Sequence, residues 1–496
     1  MAEIGAEIGA ETGPPRSVAT NPPAASGRMF WLLILALWLA EVTGSFETGM
    51  IYAAQRAVTD EFGDPVRVGW LITSYLIVGA GAAALAGRLG DLLGRRAVML
   101  AILACGIAGS LLSAAGPTYA LVLTGRCIQG ATGAILPLCI GLARESLPRD
   151  KVPLGIGLMF SGASVGTVGG LVVGGLLVDH YHWRAVFLAS AVFGAMAALL
   201  IRLFVPRSVP APSGPRTDWV GGVLFVPAIL ALLVPISYGP VWGALDWRTL
   251  ASAASGLVLL GVWIRVSLRN ENPLFDVRLF ANRQVAVGNI ITALVALGAL
   301  QITLIFSLML QAPKWTGIGL GVSATVAGLT KMPSSLASMA AGPLGGWITA
   351  RGGGRMTMVI GGVLCCAGFA LSMVIHDTPV HLALVLFVAS FGTTTLFCAG
   401  PTIIAMAVPH DRTSEAAGMT TVVRQAAMGI GAQMVSVLLA TDTIRQPGSS
   451  AHYPTAWAFM LTIGVVIALC AAAALMALLL PRNAGVQQSF RKVSTA

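Results

Sequence analysis

Long apolar runs are the feature that most constrains this chain. About fourteen of them follow one another, each near the roughly 20 residues that a helix needs to cross a bilayer. The chain is 56% hydrophobic and 10% charged, whereas soluble domains carry about 25% charged residues. Lipid admits only helices or closed barrels, and no strand alternation competes with a helical pattern here. We therefore expect an all-α integral membrane protein with about 14 transmembrane helices. The runs lie near 29–53, 67–86, 97–116, 118–143, 152–178, 184–205, 218–238, 248–268, 284–311, 318–348, 356–375, 379–407, 414–440 and 455–480.

The runs form a 6 + 2 + 6 arrangement. A Pro-rich segment follows the first six runs and a charged segment precedes the last six, so the middle pair stands apart. The first residues are rich in Ala, Gly, Pro and Glu, a composition typical of disorder. We expect a disordered cytoplasmic arm, an N-terminal six-helix half, a linker with two additional helices, a C-terminal six-helix half and a cytoplasmic tail, over residues 1–27, 28–205, 206–282, 283–481 and 482–496 respectively.

Charge is distributed unevenly between the two sets of loops. Arg and Lys concentrate in alternate loops, and the opposite loops are acidic. Under the positive-inside rule the basic loops are cytoplasmic, and an even number of helices places both termini there too. The net charge of +10 then reflects topology rather than nucleic-acid binding. We expect a multi-pass protein of the cell (inner) membrane. The acidic loop residues are Asp60, Glu61, Asp64, Asp179, Asp246, Asp377 and Asp442.

A short charged segment, GRLGDLLGRR, joins the second and third runs at residues 87–96. It resembles the loop signature of the major facilitator superfamily, G-x-L-x-D-x-x-G-R-[RK]. A degraded copy, GPLGGWITARGGGR, joins the tenth and eleventh runs at 342–355, with Gly346 in the place of Asp91. The resemblance implies two homologous halves that rock about a central cavity. The matching residues are Gly87, Leu89, Asp91, Gly94, Arg95 and Arg96.

Three further segments resemble the fourteen-helix drug:proton antiporter family of that superfamily. Arg126, Gln129 and Gly130 match its fourth-helix pattern R-x-x-Q-G. Glu47 takes the acidic position of its first-helix motif, although Tyr52 replaces the Asn of that motif. The fifth run resembles the antiporter signature G-x-x-x-G-P-x-x-G-G with Leu171 in place of the proline, which leaves the direction of transport open. Its glycines, expected to pack helices closely, are Gly166, Gly170, Gly174 and Gly175.

Glu41, Glu47 and Arg126 are the candidate proton-coupling residues. A lone charge at the bilayer centre costs about 2.5–3.5 kcal/mol on insertion scales, so such residues face the protein interior. The guanidinium of Arg126 keeps its charge and requires a partner. Because the first and fourth helices are neighbours in this fold, we expect Glu41 or Glu47 to be that partner. A static salt bridge is the alternative.

The resemblance also implies a gate and a cavity. The gating residues are Gly87, Asp91, Gly94, Arg95 and Arg96; Asp91 is expected to meet the N-terminus of the thirteenth helix near Ser414, and the arginines to pair with Glu145 or Asp150. Lys331 is a charged residue without an assigned role. The cavity candidates, each of which packing would also explain, are Trp38, Phe46, Tyr52, Gln129, Gln301, Gln311, Met332, Phe397, Arg424 and Gln425.

The resemblance implies proton-coupled efflux of lipophilic small molecules by alternating access. The partners would be the small-molecule substrate, protons and the lipid bilayer, with no nucleic acid, in a protein that is functional as a monomer. The chain has no phosphate-binding loop and no catalytic or metal constellation, so we expect neither ATP nor another cofactor beyond the proton gradient, and no enzyme activity. Two alternatives stay open: a proton-coupled carrier of one metabolite such as an organic acid, and a membrane sensor that does not transport.

Overall fold

The chain folds into a bundle of long helices in the computed structural model. The structure describes residues 27–148, 151–208, 219–243, 245–270, 273, 277–408, 413–445 and 452–481. The expected arm and tail lie outside these residues, except that the first helix begins at Gly27.

Six membrane spans form the first half. The fourth span is built from two helices joined by a 3₁₀ turn at Gly130–Ala134. The helices are α1 (Gly27–Phe62), α2 (Pro65–Leu93), α3 (Arg95–Ala115), α4 (Tyr119–Gln129), α5 (Ile135–Ser146), α6 (Val152–His180) and α7 (Ala185–Phe204).

Two more spans and then another six follow. The linker pair is α8 (Trp219–Trp242) and α9 (Trp247–Arg269). In the second half, a 3₁₀ turn at Ala299–Gln301 joins α10 and α11 into one span, and α12 contains two spans. Short 3₁₀ turns also occur at Val277–Ala281 and Lys314–Thr316. The remaining elements are α10 (Arg283–Leu297), α11 (Ile302–Gln311), α12 (Ala324–Val374), α13 (Pro379–Met406), α14 (Thr413–Leu439), β1 (Thr443–Arg445), β2 (His452–Pro454) and α15 (Ala456–Ala477).

The expected all-α fold with 14 membrane helices is confirmed. Among the described residues, thirteen helical segments are long and apolar enough to cross a membrane. The fourteenth is the first part of α12, which is long but less apolar, with Lys331 and several Ser, Thr and Gly residues in its sequence. The strands β1 and β2 pair antiparallel in a small hairpin between α14 and α15.

Two glycines divide helices at corresponding places of the two halves. Gly94 separates α2 from α3 with φ of 88°, and Gly353 breaks α12 with φ of 81°. Only glycine adopts this backbone conformation readily. Asp91 lies three residues before Gly94, and Ala350 lies three residues before Gly353. The equivalent of Asp91 in the second half is therefore Ala350, about one helical turn from Gly346, the residue expected from the motif.

The two ends of the bundle are distinguishable by what they carry. We call the end where α1 begins and α15 ends the termini side, and the end that carries β1 and β2 the hairpin side. A continuous buried apolar cluster joins the halves, with Met50 of α1, Leu71 of α2 and Phe306 of α11 among its members. Close van der Waals packing holds the halves together there.

Candidate functional site

Four charged side chains are buried within the helices that the structure describes. Glu41 and Glu47 of α1 are 7% and 3% exposed, Arg126 of α4 is 1% exposed and Lys331 of α12 is 7% exposed. A buried charge is costly unless it is paired, hydrogen-bonded or given a functional partner. These four residues therefore define the chemistry of the interior.

Glu47 is held by hydroxyl groups. Thr132 Oγ1 donates to Glu47 Oε2 at 3.1 Å, and the Tyr75 hydroxyl lies 3.5 Å from the same oxygen. Tyr75 and Thr132 also share a 3.0 Å hydrogen bond with each other. The carboxyl group of Glu47 thus ends a small network of neutral donors contributed by α2 and the 3₁₀ turn after α4.

Arg126 joins this network through an aromatic ring. Its guanidinium lies 4.2 Å from the centre of the Tyr75 ring, and its Nε donates to Leu71 O at 3.0 Å. One further nitrogen donates to Gln129, while Nη2 has no partner. Among the described residues no direct ion pair joins Arg126 to a glutamate. Glu47 acts on Arg126 electrostatically, with Tyr75 linking the two.

Tyr75 and Thr132 were not among the residues singled out from the sequence. Both are ordinary members of apolar runs, since Tyr and Thr occur widely in membrane helices. The available signal was an aromatic hydroxyl in the second run beside charged candidates in the first and fourth.

Glu41 has a different partner from the expected one. The cation that acts on it electrostatically is Arg424 of α14, in the other half of the molecule. Arg424 is half-buried and lies 5.9 Å from the centre of the Phe397 ring. Glu41 and Arg424 therefore form an attraction between the halves, separate from the Glu47 network within the first half.

Several expected cavity residues are used for packing instead. Phe46 is 3% exposed and stacks on Phe193 with ring centres 4.2 Å apart. Gln129 is fully buried and donates to Ser110 Oγ at 2.8 Å, so it supports Arg126. Gln301 is also fully buried and donates to Met428 O at 3.0 Å.

Met332 is exposed, unlike the other expected cavity residues. It is 44% exposed and belongs to an apolar stripe with Leu329, Leu336 and Met339, which are 47%, 64% and 48% exposed. Spacings of three and four residues place these side chains on one face of α12. Met332 therefore belongs to an exposed apolar face of α12.

Three other expected cavity residues lie near the boundary between the halves, and Trp38 packs within the first half. Tyr52 is buried, and Arg126 acts on it electrostatically. Gln425 donates to Gly133 O of the first half at 3.1 Å. Gln311 is buried on the hairpin side, and its side chain donates to Ser307 Oγ at 3.0 Å. Trp38 is half-buried against Gly162 of α6.

The four signature glycines lie where α6 meets other helices. A Cβ on Gly166 would approach Val42 O within 2.7 Å, one on Gly170 would overlap Phe46 O, and one on Gly174 would lie 2.8 Å from Met50 Cα. A Cβ on Gly175 would lie 2.5 Å from Thr325 N of α12. Consequently α6 packs closely on α1 with three glycines and on the second half with the fourth.

The gating segment is anchored within the first half and to the linker. Arg95 pairs with Glu145 at 2.9 Å, and its guanidinium also donates to Gly141 O at 3.1 Å. Arg96 donates to Arg202 O. Gly87 has open space around its Cα. The side chains of Asp91 and Ser414, and residue Asp150, lie outside the described part of the chain.

The hairpin side carries direct contacts between the halves. Ser307 Oγ donates to Tyr52 O at 3.0 Å, Arg56 donates to Gln311 O, and the Tyr453 hydroxyl donates to Asp60 Oδ1 at 2.8 Å.

A second set of contacts on this side involves the start of α12. Asp179 of α6 accepts hydrogen bonds from Ala324 N at 3.1 Å and Thr325 N at 2.9 Å. Together with Thr73 Oγ1, which donates to Gly429 O at 3.1 Å, these bonds close the hairpin side.

Comparison with known proteins identifies the family. The sequence profile of the Major Facilitator Superfamily matches residues 37–432 and 320–494. The chain belongs to the Major Facilitator Superfamily. As a member of that superfamily it is a multi-pass membrane transporter of small molecules and not an enzyme.

Two relatives and one solved structure define its position in the superfamily. It is 30% identical over 414 residues to the Multidrug resistance protein B homolog of Mycobacterium tuberculosis, covering 81% of this chain and 74% of that protein. It is 26% identical over 454 residues to the Tetracenomycin C resistance and export protein of Streptomyces glaucescens, covering 90% and 81%. A crystal structure of a D-xylose-proton symporter superposes with a TM-score of 0.64 at 14% identity, over 92% of this chain and 99% of the symporter, and so shares the fold.

Proposed function

We propose that this superfamily member exports lipophilic small molecules in exchange for protons by alternating access. The observation that carries the proposal is the buried carboxyl group of Glu47, held by Thr132 and Tyr75 beside the permanent charge of Arg126. An ionisable residue within a membrane helix that has named partners is a candidate proton site. The names of the two relatives, multidrug resistance and export, support an efflux function.

Proton transfer at these carboxyl groups would change the forces on both halves. Protonation of Glu47 removes the negative charge that acts on Arg126. Protonation of Glu41 removes the attraction to Arg424 across the halves. Both changes alter the relative energies of two packed arrangements, which is how a local event drives rocking of one half against the other.

We propose that the termini side faces the cytoplasm of a cell in whose inner membrane the protein resides. The support is the excess of Arg and Lys in the loops on that side. With the hairpin side closed, the described arrangement would then face inward, ready to take substrate from the cytoplasm or membrane. We also propose that one copy suffices for transport, because each half contributes to a single central site.

The proton gradient supplies enough energy for export. One elementary charge crossing 100 mV is worth about 2.3 kcal/mol, and a tenfold proton ratio adds about 1.4 kcal/mol. One or two protons per cycle would therefore sustain substrate ratios of tens to thousands.

The test is substrate-driven proton movement in everted vesicles, followed with a pH-sensitive dye. Wild-type protein should release protons from acidified vesicles when lipophilic compounds are added. Glu47→Gln keeps the shape of the side chain without its titratable proton and should abolish this signal while the protein inserts normally. The matched control is Asp246→Asn, because the Oδ1 of Asp246 only caps α9 by accepting from Arg248 N. Intact proton movement in Glu47→Gln would remove Glu47 from coupling.

A carrier of one organic acid is the second candidate function. The half-buried guanidinium of Arg424 favours it, since this cation lies between the halves and is not fully enclosed. Arg126 is less suited to bind a substrate because protein atoms occupy most of its donors. A proton signal with only one small acid in the vesicle panel would support the carrier over the exporter.

A further inference from the structure

Lys331 is a buried cation without a partner among the residues that the structure describes. Its side chain is 7% exposed, and none of the described residues accepts a hydrogen bond from its ammonium or forms an ion pair with it. Some polar atoms of the described residues, such as Arg126 Nη2, are fully enclosed and lack a partner. The Lys331 ammonium differs from these atoms because it is not fully enclosed. The ammonium therefore retains some accessible surface, although the residue as a whole is buried.

The position of Lys331 on α12 places it between the two halves. Gly328, one turn before it on the same face, meets the backbone of Leu171 in α6. Lys331 follows the N-cap Ser323 by eight residues, or about 12 Å along the helix axis. Since the hydrocarbon layer is about 30 Å thick, this depth is close to the membrane centre.

Among the described residues, the charges of the interior do not balance without a further anion. Glu41 is acted on by Arg424, and Glu47 acts on Arg126. These two acids account for two of the three cations buried or half-buried in the interior, and Lys331 is the third. An isolated ammonium in a region of low dielectric is costly and gains most from a negative partner. Because the described part of the chain offers none, an anion from outside the chain would supply this partner.

We propose that Lys331 binds the acidic group of a lipophilic substrate, so that this transporter prefers lipophilic weak acids over cations. The proposal rests on the transport function proposed above and specifies the substrate class. A carboxylate would accept up to three hydrogen bonds from the ammonium and restore charge neutrality at the membrane centre. The apolar remainder of the substrate would occupy the apolar interior between the halves.

Equilibrium binding to purified protein in detergent tests this proposal. The probes are the fluorescent acid pyrenebutyrate, its primary amide and the lipophilic cation tetraphenylphosphonium. Wild-type protein should bind the acid at least tenfold more tightly than the amide, as expected for a hydrogen-bonded charge pair. Equal affinity for acid and amide would overturn the proposal without any variant.

Substitutions at Lys331 provide the second measurement. Lys331→Met keeps the length of the side chain and should weaken acid binding about tenfold while changing amide binding less than twofold. Lys331→Arg keeps the charge and should restore acid binding to within about threefold of wild type. Thr330→Val is the control, because Thr330 is buried next to Lys331 and its hydroxyl bonds only to Val326 O. Equal weakening of acid and amide in Lys331→Met would assign Lys331 to packing and contradict the proposal.

The binding measurement separates this proposal from the proton-coupling proposal. Binding in detergent needs no proton gradient, so a Glu47→Gln variant with intact proton movement would leave the role of Lys331 standing. If wild-type protein bound the acid and the amide equally while its proton movement still depended on Glu47, only the proposed role of Lys331 would be contradicted.

Discussion

At the scale of single residues, Arg126 shows how a permanent charge is accommodated inside a membrane bundle. A backbone carbonyl, an amide side chain and the face of Tyr75 surround its guanidinium, and no carboxylate of the described residues contacts it directly. Cation–π contacts of this kind stabilise a desolvated guanidinium by about 2 kcal/mol. Glu47 therefore remains available to titrate, since it is not held in a tight ion pair with Arg126.

Packing at this scale depends on Gly170, and a neighbouring glycine offers a matched comparison. A Cβ on Gly170 would overlap the backbone oxygen of Phe46, whereas a Cβ on Gly169 would meet only the Phe46 ring at 3.7 Å. Gly170→Ala should lower the stability of the folded protein by about 1–3 kcal/mol because α6 must move away from α1. Gly169→Ala should have little effect. Thermal unfolding in detergent measures the stability of both variants. Equal unfolding midpoints would show that α6 can move away from α1 without loss of stability.

At the scale of whole elements, the junction of α6 and α12 determines how the hairpin side closes. Asp179 reaches across the halves to the first N–H groups of α12. A carboxylate is favourable there because the N-terminus of a helix carries partial positive charge. The bond exists only while α6 and α12 are together, so it stabilises one arrangement of the halves.

Removal of this contact should favour opening on the hairpin side. Asp179 is exposed, so Asp179→Ala is expected to cost the closed arrangement about 0.5–1 kcal/mol, a two- to fivefold change in population. A cysteine placed at Leu171, in a protein without its native cysteines, reports opening through its labelling rate with a water-soluble maleimide.

The matched control for this experiment is Thr378→Ala. Thr378 caps α13 by accepting from His381 N at 3.2 Å, and both residues lie in the same half. Its loss should leave the labelling rate unchanged. Faster labelling in both variants would indicate general loosening rather than loss of a contact between halves.

The helix pattern was predictable from sequence because the bilayer imposes it. Apolar runs of fixed length between charged loops gave the fourteen helices, including the linker pair α8 and α9. The position equivalent to Asp91 in the second half lies one turn from Gly346, its expected place, because several glycines occur together there and only backbone geometry distinguishes Gly353, the one with positive φ.

At the scale of the whole molecule, the two halves meet on the hairpin side. Tyr453 of the hairpin donates to Asp60 of α1, and its ring also lies 5.7 Å from the guanidinium of Arg56. The hairpin between α14 and α15 thereby connects the second half to the end of the first helix.

Loss of the Tyr453 hydroxyl should shift the whole molecule towards opening on this side. A hydrogen bond of this kind contributes about 0.5–1.5 kcal/mol, so Tyr453→Phe should raise the open population about two- to tenfold. Distances between spin labels at Thr118 and Asp377, in loops of opposite halves on the hairpin side, measure the change.

Tyr119→Phe serves as the control because the Tyr119 hydroxyl donates to Arg67 O at 2.7 Å within the first half. Its distance distribution should match wild type. If Tyr453→Phe also matched wild type, the hairpin would have no part in closing the molecule.

The sequence by itself determined the membrane helices, their 6 + 2 + 6 order and the superfamily, because hydrocarbon thickness and a local charged motif act over short stretches of chain. It also identified Glu41, Glu47 and Arg126, since a charge within an apolar run is conspicuous. Only the tertiary structure decided that Arg424 is the cation that acts on Glu41, that Tyr75 links Glu47 to Arg126 and that Lys331 has no partner among the described residues. Those pairings depend on how helices distant in sequence rotate and pack, and apolar surfaces that are alike in composition do not specify this locally.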